Sequence, residues 1–559
     1  MASLIDTTKN TRHCQRFLSQ TWFGQSRSSA ARGPRGIAVL MLAFFGLCEF
    51  FAFSEAAATS RGGILTMVVS PEPPTLVSFA STAVNVLKVS PKVVEGLLEY
   101  DFDMNPRPLL ATSWDISADG KRYTFHLRHN VLWQDGKLFT SADVAYSLRL
   151  LRQYHPRANS TFANVAEVQT PDVDTVTLIL SKPTPYLIRA FSASETPILP
   201  KHLYDHGDPL SNPNNAAPIG TGPFLFVKWV RGDHIEYVRN DNYWDKGKPY
   251  LDGLIVKIIP DAAARTIAFE SGAVQLGGDN PVPLSDLARI KANPKLGIDS
   301  RGYEFSAGVY RLEFSLDNHY LKRLAVRQAI ASALYRALIA KVVYYGYATP
   351  DASPLAPRNR YYDPSPSPYP FDINKANALL DKEGFPRGPD GVRFRLIVDA
   401  LPIGDQPGRT AAYVRSALAR IGIALTIRNE DLPAYLKRIY TSHDFDMAVN
   451  GMSNLFDPVA GVARLYVTSN YRQGVPFTNG SHYSSPEVDK LFADAAVETD
   501  ETKRRALFKS IQQAIEHDLP DVNLIAPDYA TVYAKTVHDV NRGADGLNEG
   551  FANAWLQKP

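Results

Sequence analysis

The sequence predicts an α/β protein of several compact units, in which an α+β unit precedes a doubly wound, mostly parallel sheet. Three observations carry this reading. At 559 residues the chain is too long for one hydrophobic core, and ~150 residues per domain gives roughly three units. A hairpin signature around Asp119-Gly120, followed by a helix, marks the α+β unit. From Val392 to Met452 strand and helix patterns alternate, the mark of a parallel sheet. A hydrophobic content of 45% and a charged content of 21% are ordinary for a folded protein.

Taken in order, the chain opens with a targeting segment. Arg27, Arg32 and Arg35 precede an apolar run from Ile37 to Phe53, and Ala56-Ala57-Ala58 follow. This reads as a signal peptide over 1–58, cleaved near Ala58. Its uncharged part, Gly36 to Cys48, is too short to cross ~30 Å of hydrocarbon. Cys48 as a lipid-attachment residue is disfavoured by the Phe45-Gly46-Leu47 before it. Cys14 and Cys48 are the two cysteines, so a mature chain beginning near Thr59 has no thiol. It can form neither a disulfide nor a catalytic thiolate, and its stability must come from core size. Six of the 60 basic and three of the 57 acidic residues lie in the first 58 positions, leaving 54 of each. A neutral body lacks the basic excess that phosphate-backbone binding needs, so nucleic acid is not an expected partner.

Gly62 to Ser70 reads as a buried strand, and Pro71, Pro73 and Pro74 make the next stretch a loop. In the hairpin, Tyr123, Phe125 and Leu127 alternate with Arg122, Thr124, His126 and Arg128, so one face is apolar and the other wet. Thr140 caps a helix with Asp143 in its first turn and Val144, Leu148 and Leu151 on its buried stripe. A strand from Val173 to Leu180 completes the α+β unit. In the second unit, VRFRLIVDA is a strand, Gly408 to Arg420 a helix, IALTIRN a strand, Pro433 to Tyr440 a helix and DFDMAVNGM a strand. Open sheets of this kind bind ligands beyond the carboxyl ends of their strands, which singles out the loops Ala400 to Gly408 and Gly451 to Pro458. Helices from Ser485 to Leu519 and a strand near Val522 follow.

No phosphate-cradling GxxxxGKS/T, GxSxG elbow or HExxH occurs. His202 and His206 stand four apart, but without a suitably spaced acidic third ligand they read as surface histidines. Gly220-Thr221-Gly222-Pro223 reads as a tight turn entering a strand. Neither a metal nor a cofactor is expected.

Five stretches, LLATSWDISADGKRYTFHLRHNVLWQDGKLFTSADVAYSL, PIGTGPFLFVKW, YWDKGKPYLDGLIVKIIPD, VRQAIASAL and DLPAYLKRIYTSHDFDMAVNGM, resemble in order the dipeptide- and oligopeptide-binding proteins of ABC importers, extracellular solute-binding protein family 5. The resemblance runs across nearly all of the mature chain. It implies a two-lobed clamp of the type II periplasmic-binding-protein kind, with an extra α+β subdomain in lobe I. Lobe I would take 59–305, with the insertion near 85–190, and lobe II 306–523, with 524–559 returning to lobe I. Chain crossings would lie near Tyr303 to Phe314 and Asn523 to Tyr529. The implied function is capture of a peptide or small organic solute between hinged lobes in the periplasm. The protein would act as a monomer that delivers its guest to the permease subunits of an ABC transporter.

By the same resemblance, Thr82, Ala83 and Val84 of lobe I face the ligand. The chain departs from its relatives at the ionic handles: where peptide binders of this family place an ammonium-holding Asp, it has Asn454. Where dipeptide binders place a carboxylate-holding Arg, it has Asp405. A free dipeptide is therefore a poor candidate, because an amide offers an ammonium no counter-charge. Asp405 and Asp457 are the acids left to receive a cation, and Met452 offers an adaptable apolar wall. On this placement Asn454→Asp raises affinity for amino-terminated peptides. The competing readings are a secreted hydrolase, which lacks motif-tied acids or a Ser/His/Asp set, and a periplasmic sensor or chaperone using the same clamp.

Overall fold

The computed structural model describes residues 60–365 and 367–558, so the signal-peptide reading of 1–58 lies outside the described residues. Two separate sheets organise the chain. The first has seven strands, with Ile64–Val69 near its middle, parallel to Gly253–Ile258 in the register Ile64 to Gly253 through Val69 to Ile258. The run ILTMVV, buried at Leu65, Met67, Val68 and Val69, explains its place, since a strand covered on both faces over most of its length has little wet side to alternate with. Leu296–Asp299 forms one edge, antiparallel to Thr531–Ala534. Segments on either side of lobe II thus share the lobe I sheet.

The α+β unit is inserted into this lobe. Its four-stranded antiparallel sheet runs Ala111–Ile116, Arg122–Leu127, Thr175–Leu180, Val165–Asp172. Tyr123, Phe125 and Leu127 are buried as their alternation requires. The helix Ser141–Tyr154 starts in a capping box between Thr140 and Asp143, which supplies partners for otherwise orphaned N–H groups. One continuous core joins the insertion to lobe I, reaching from Phe125 and Leu148 to Leu65, Leu254 and Phe551. The GTGP turn packs against this core. A Cβ on Gly220 would stand 1.8 Å from the carbonyl oxygen of Val93, so only glycine permits the approach.

Lobe II carries a six-stranded sheet in the order Ala348–Pro350, Asp521–Pro527, Gly308–Phe314, Met447–Ser453, Phe394–Ala400, Ile423–Arg428. It is mixed, which corrects the expectation of a mostly parallel sheet. Phe394–Ala400 is parallel to both its neighbours, while Gly308–Phe314, Asp521–Pro527 and Ala348–Pro350 pair antiparallel. Strand–helix alternation makes strands parallel only where a helix carries the chain back over the sheet, and these three strands arrive from outside that stretch. Leu324–Ala333 and Gln406–Ala419 cover one face through Ile330, Val414 and Leu418. Pro486–Val497 and Glu501–Asp518 cover the other through Phe492, Phe508 and Ile511.

The chain crosses from Asp299 to Gly308 and returns from Pro527 to Thr531. The expected end of lobe II at 523 is therefore corrected to Pro527, because Asp521–Pro527 stays hydrogen-bonded within the lobe II sheet. Phe314 and Asn523 are likewise not in crossings. Phe314 pairs with Met447 and is fully buried, and Asn523 pairs with Arg311. Among the described residues no helix is long and apolar enough to cross a membrane.

Candidate functional site between the two sheets

The two sheets meet at the crossings. Tyr303 of the first crossing packs on Tyr529 of the second with ring centroids 5.6 Å apart. Both crossings are tied to one lobe I loop. The Asp279 N–H donates to the Tyr303 hydroxyl at 2.9 Å, the Asn280 N–H to the Ala530 carbonyl at 3.0 Å, and the Ala530 N–H to Asn280 Oδ1 at 2.9 Å. Aromatic contact continues into lobe II. Tyr310 is half-buried beside Tyr344, centroids 6.0 Å apart, and lies over the end of Met447–Ser453. A Cβ on Gly451 would fall 2.8 Å from the Tyr310 ring, so any side chain there would displace the tyrosine.

On the lobe I side this wall continues to the residues expected to face a ligand. Ala83 and Val84 are exposed and Thr82 is half-buried. Val84 borders a pocket of about 70 Å³ whose lining includes Lys88, Arg265, Asp279 and Asn280. Lys88 is buried and in ion contact with Asp279. Burial lowers the Lys88 ammonium to about 7, since a charge removed from water is disfavoured. Neither the composition nor any motif pointed to Lys88 or Asp279, because their pairing joins residues almost two hundred positions apart.

The lobe II candidates fall elsewhere. Asn454 is buried, and every polar atom of its side chain is engaged. Its Nδ2 donates to the Pro354 carbonyl at 3.1 Å and its Oδ1 accepts the Ala356 N–H at 2.7 Å. Met452 sits in the core with Tyr466, Tyr483 and Phe508. Asp457 is fully buried, caps Pro458–Gly461 through the Val459 N–H, and holds both terminal nitrogens of Arg504 at 2.7 and 2.8 Å. Asn454, Met452 and Asp457 are thus corrected from ligand contacts to structural positions: Asn454 and Asp457 are buried and bonded within the protein, and Met452 is packed in the core. Asp405 is exposed at the head of Gln406–Ala419, and its side chain caps nothing. Beside it Ile403 is about half exposed, and Arg409 donates to the hydroxyl of exposed Tyr345 at 2.9 Å.

A second groove opens between the lobes on the far side of the 454–458 loop. It measures about 240 Å³ and is lined by Phe102, Met104, Glu304, Arg358, Phe456 and Arg505 among others. Phe305 packs on Phe456 at 5.6 Å, and Arg189 of the insertion stands 3.9 Å from Asp457. Among the described residues no group of three or more His, Cys, Asp or Glu side chains is placed to hold a metal ion. His202 pairs with Asp135 at 2.6 Å.

Two lobes, each built on its own sheet and joined by two chain crossings where tyrosines pack together, define a solute-binding clamp. The family model of bacterial extracellular solute-binding proteins, family 5, matches residues 105–481, and the chain belongs to that family. It is 29% identical over 470 residues to di/tripeptide-binding protein 1 of Pseudomonas aeruginosa, covering 79% of this chain and 85% of that protein. Among solved structures it is similar to NikZ from Campylobacter jejuni in complex with Ni(L-His), at TM-score 0.74 and 26% identity, over 87% of this chain and 97% of that one. It is equally similar to the oligopeptide-binding protein AppA from Bacillus subtilis in complex with a nonapeptide, at TM-score 0.74 and 25% identity, over 89% of this chain and all of the other. These relatives carry guests of very different size and charge, so the fold alone does not select a ligand.

Proposed function

We propose that this protein captures a peptide or small organic solute between its lobes in the periplasm and delivers it, chemically unaltered, to the permease of an ABC importer. It acts as a monomer, exported by the cleaved leader read from residues 1–58. The observation that carries the proposal is the pair of crossings at 300–307 and 528–530. Two lobes linked by only two crossings exchange open and closed forms by turning about them, and opening must release shared contacts such as those of Leu455 and Phe456 in the lobe I core. A ligand that touches both lobes then shifts the balance by its differential affinity for the closed form. A micromolar solute contributes about 8 kcal/mol, enough to hold the clamp shut while leaving release to the membrane partner.

The test is recovery of the guest. Mass spectrometry of small molecules released on denaturing the purified protein should give a stoichiometric solute, and adding it back should compact the stripped protein in X-ray scattering. Guests that return chemically changed, or a particle whose dimensions ignore them, would sink the proposal.

A further inference from the structure

We propose that the lobe I pocket between Val84 and Asn280 is the subsite for a carboxylate of the captured solute, with Lys88 as its counter-charge. The inference rests on the solute lying between the lobes, and it names the chemistry that lobe I reads.

Two neighbouring lysines differ in how far their partners satisfy them. Lys92 is fully engaged: it donates to the carbonyls of Leu547, at 2.8 Å, and Glu549, and stands 3.7 Å over the ring of Phe551. One turn earlier on the chain, Lys88 meets Asp279. An ammonium has three donors, so this contact leaves capacity for a further acceptor from the pocket. Arg265, also in the lining, spends its guanidinium on the carbonyls of Ile259, Pro260 and Pro281. These acceptors are neutral and engage Nε and Nη1. The lining therefore holds two basic side chains, Lys88 and Arg265, and one acidic one, Asp279, with Asp261 acting on Arg265 from outside it. An incoming carboxylate favours the charged form of the buried Lys88 and meets its ammonium through short, charge-assisted hydrogen bonds.

The loop that presents Asp279 is built for position. Asp279 and Asn280 both lie in the left-handed region, each with φ near 55°, an arrangement that non-glycine residues adopt rarely and that tends to persist where the surroundings demand it. Here those surroundings are the two crossings, through the Tyr303 hydroxyl and the Ala530 backbone. A carboxylate that draws Lys88 from Asp279 thus acts on the loop that holds both crossings, so filling the pocket is mechanically tied to closure.

Affinity-selection mass spectrometry tests this with ligand-stripped full-length mature protein and a library of matched pairs. Each pair is a carboxylic acid and its primary amide, drawn from N-acetylated di- to pentapeptides, N-acyl amino acids and aryl acids. The acids should be retained at least about tenfold over their amides. Lys88→Gln should bring the ratio within about twofold while amide retention persists. Asp279→Asn, which removes the competing anion and keeps Lys88, should raise the ratio about threefold and guards against a misfolded Lys88 variant. Equal retention of acids and amides by the parent protein, or an acid preference that survives Lys88→Gln, overturns the carboxylate subsite. Retention of no library member at all counts instead against the clamp reading on which the subsite rests.

Discussion

The two walls of the clamp use charge in opposite ways. In lobe II three buried charges at the strand ends and beneath them are cancelled inside the protein: Asp457 by Arg504, Asp399 by the fork of Arg428 at 2.6 and 2.8 Å, and Arg311 by Asp521 and Glu313 at 2.9 and 3.1 Å. In lobe I Lys88 meets a single acid, Asp279, beside a pocket that Arg265 and exposed Val84 also line. The difference teaches that a charged residue near a strand end is a ligand handle only when its own neighbours leave it unfinished. Residue type and position do not decide this, but the inventory of partners does.

The strongest way to break that contrast is to unlock lobe II. Arg504→Met leaves Asp457 buried with only the more distant Arg189 for company. Removing one partner of a buried pair costs about 3–5 kcal/mol, to be read as a drop in urea midpoint followed by near-ultraviolet circular dichroism. A loss below about 1 kcal/mol would mean that Asp457 is not locked as described. Next in size comes Asn454→Asp. The new carboxylate would turn an oxygen toward the Pro354 carbonyl in place of a donor, in a site with no cation. We expect a loss of about 2–3 kcal/mol and, by calorimetry, no gain in affinity for amino-terminated peptides, the reverse of what position in the sequence suggests.

That reversal marks where sequence reasoning ends. The hairpin, the capped helix after Thr140 and the strands of 392–453 were legible because each depends on neighbours within a few residues: alternation, a capping pair, a turn. The direction of Gly308–Phe314 and Asp521–Pro527 was not, because pairing of strands two hundred residues apart leaves no local trace. The same holds for the site. Val84 could be placed by resemblance, but the roles of Asn454 and Asp457 turn on Ala356 and Arg504, about a hundred and about fifty residues away. Tyr303 meets Tyr529, and Lys88 meets Asp279, only once segments about two hundred residues apart are folded together. The one local signal available was Gly451, an unexplained glycine inside an apolar strand, which betrays a close approach.

A smaller effect sharpens the contrast through pH. Burial raises Glu95, Asp351 and Asp545 to about 7 and Asp521 to about 6. Each is an acid whose folded value exceeds its unfolded one, near 4. Its contribution is complete below that unfolded value and disappears as pH climbs through 6 to 7, because the native state then gives up protons that burial favoured. Lys88, lowered to about 7 from 10.5, and Lys92, lowered well below its ordinary value by burial, work in the opposite sense, but the raised acids, which also include Glu516 at about 8 and Glu549, outnumber them. The melting temperature should fall by a few degrees from pH 5.5 to pH 8 at fixed ionic strength. His155, lowered to about 4 by burial, should in turn weaken the protein as pH drops from 6.5 toward 4. A profile that rose steadily from pH 5.5 to 8 would contradict the burial of these acids.

The smallest expected effect concerns Asp405. It is exposed, begins Gln406–Ala419 without capping it, and faces solvent beside Ile403. Surface substitutions away from caps and buried partners stay within about 0.5 kcal/mol, and Asp405→Asn should do so by thermal denaturation. It should also leave the acid-over-amide retention ratio unchanged within about twofold, because a fully hydrated carboxylate exerts little force across a screened mouth. The comparison with Asp279→Asn is the informative one. Both remove one negative charge, from opposite walls of the same clamp, and only the one in contact with an unfinished lysine should alter which solute is held. If Asp405→Asn shifted the ratio as strongly as Asp279→Asn, selectivity would follow the overall charge of the cleft instead of the partner inventory of a single pocket.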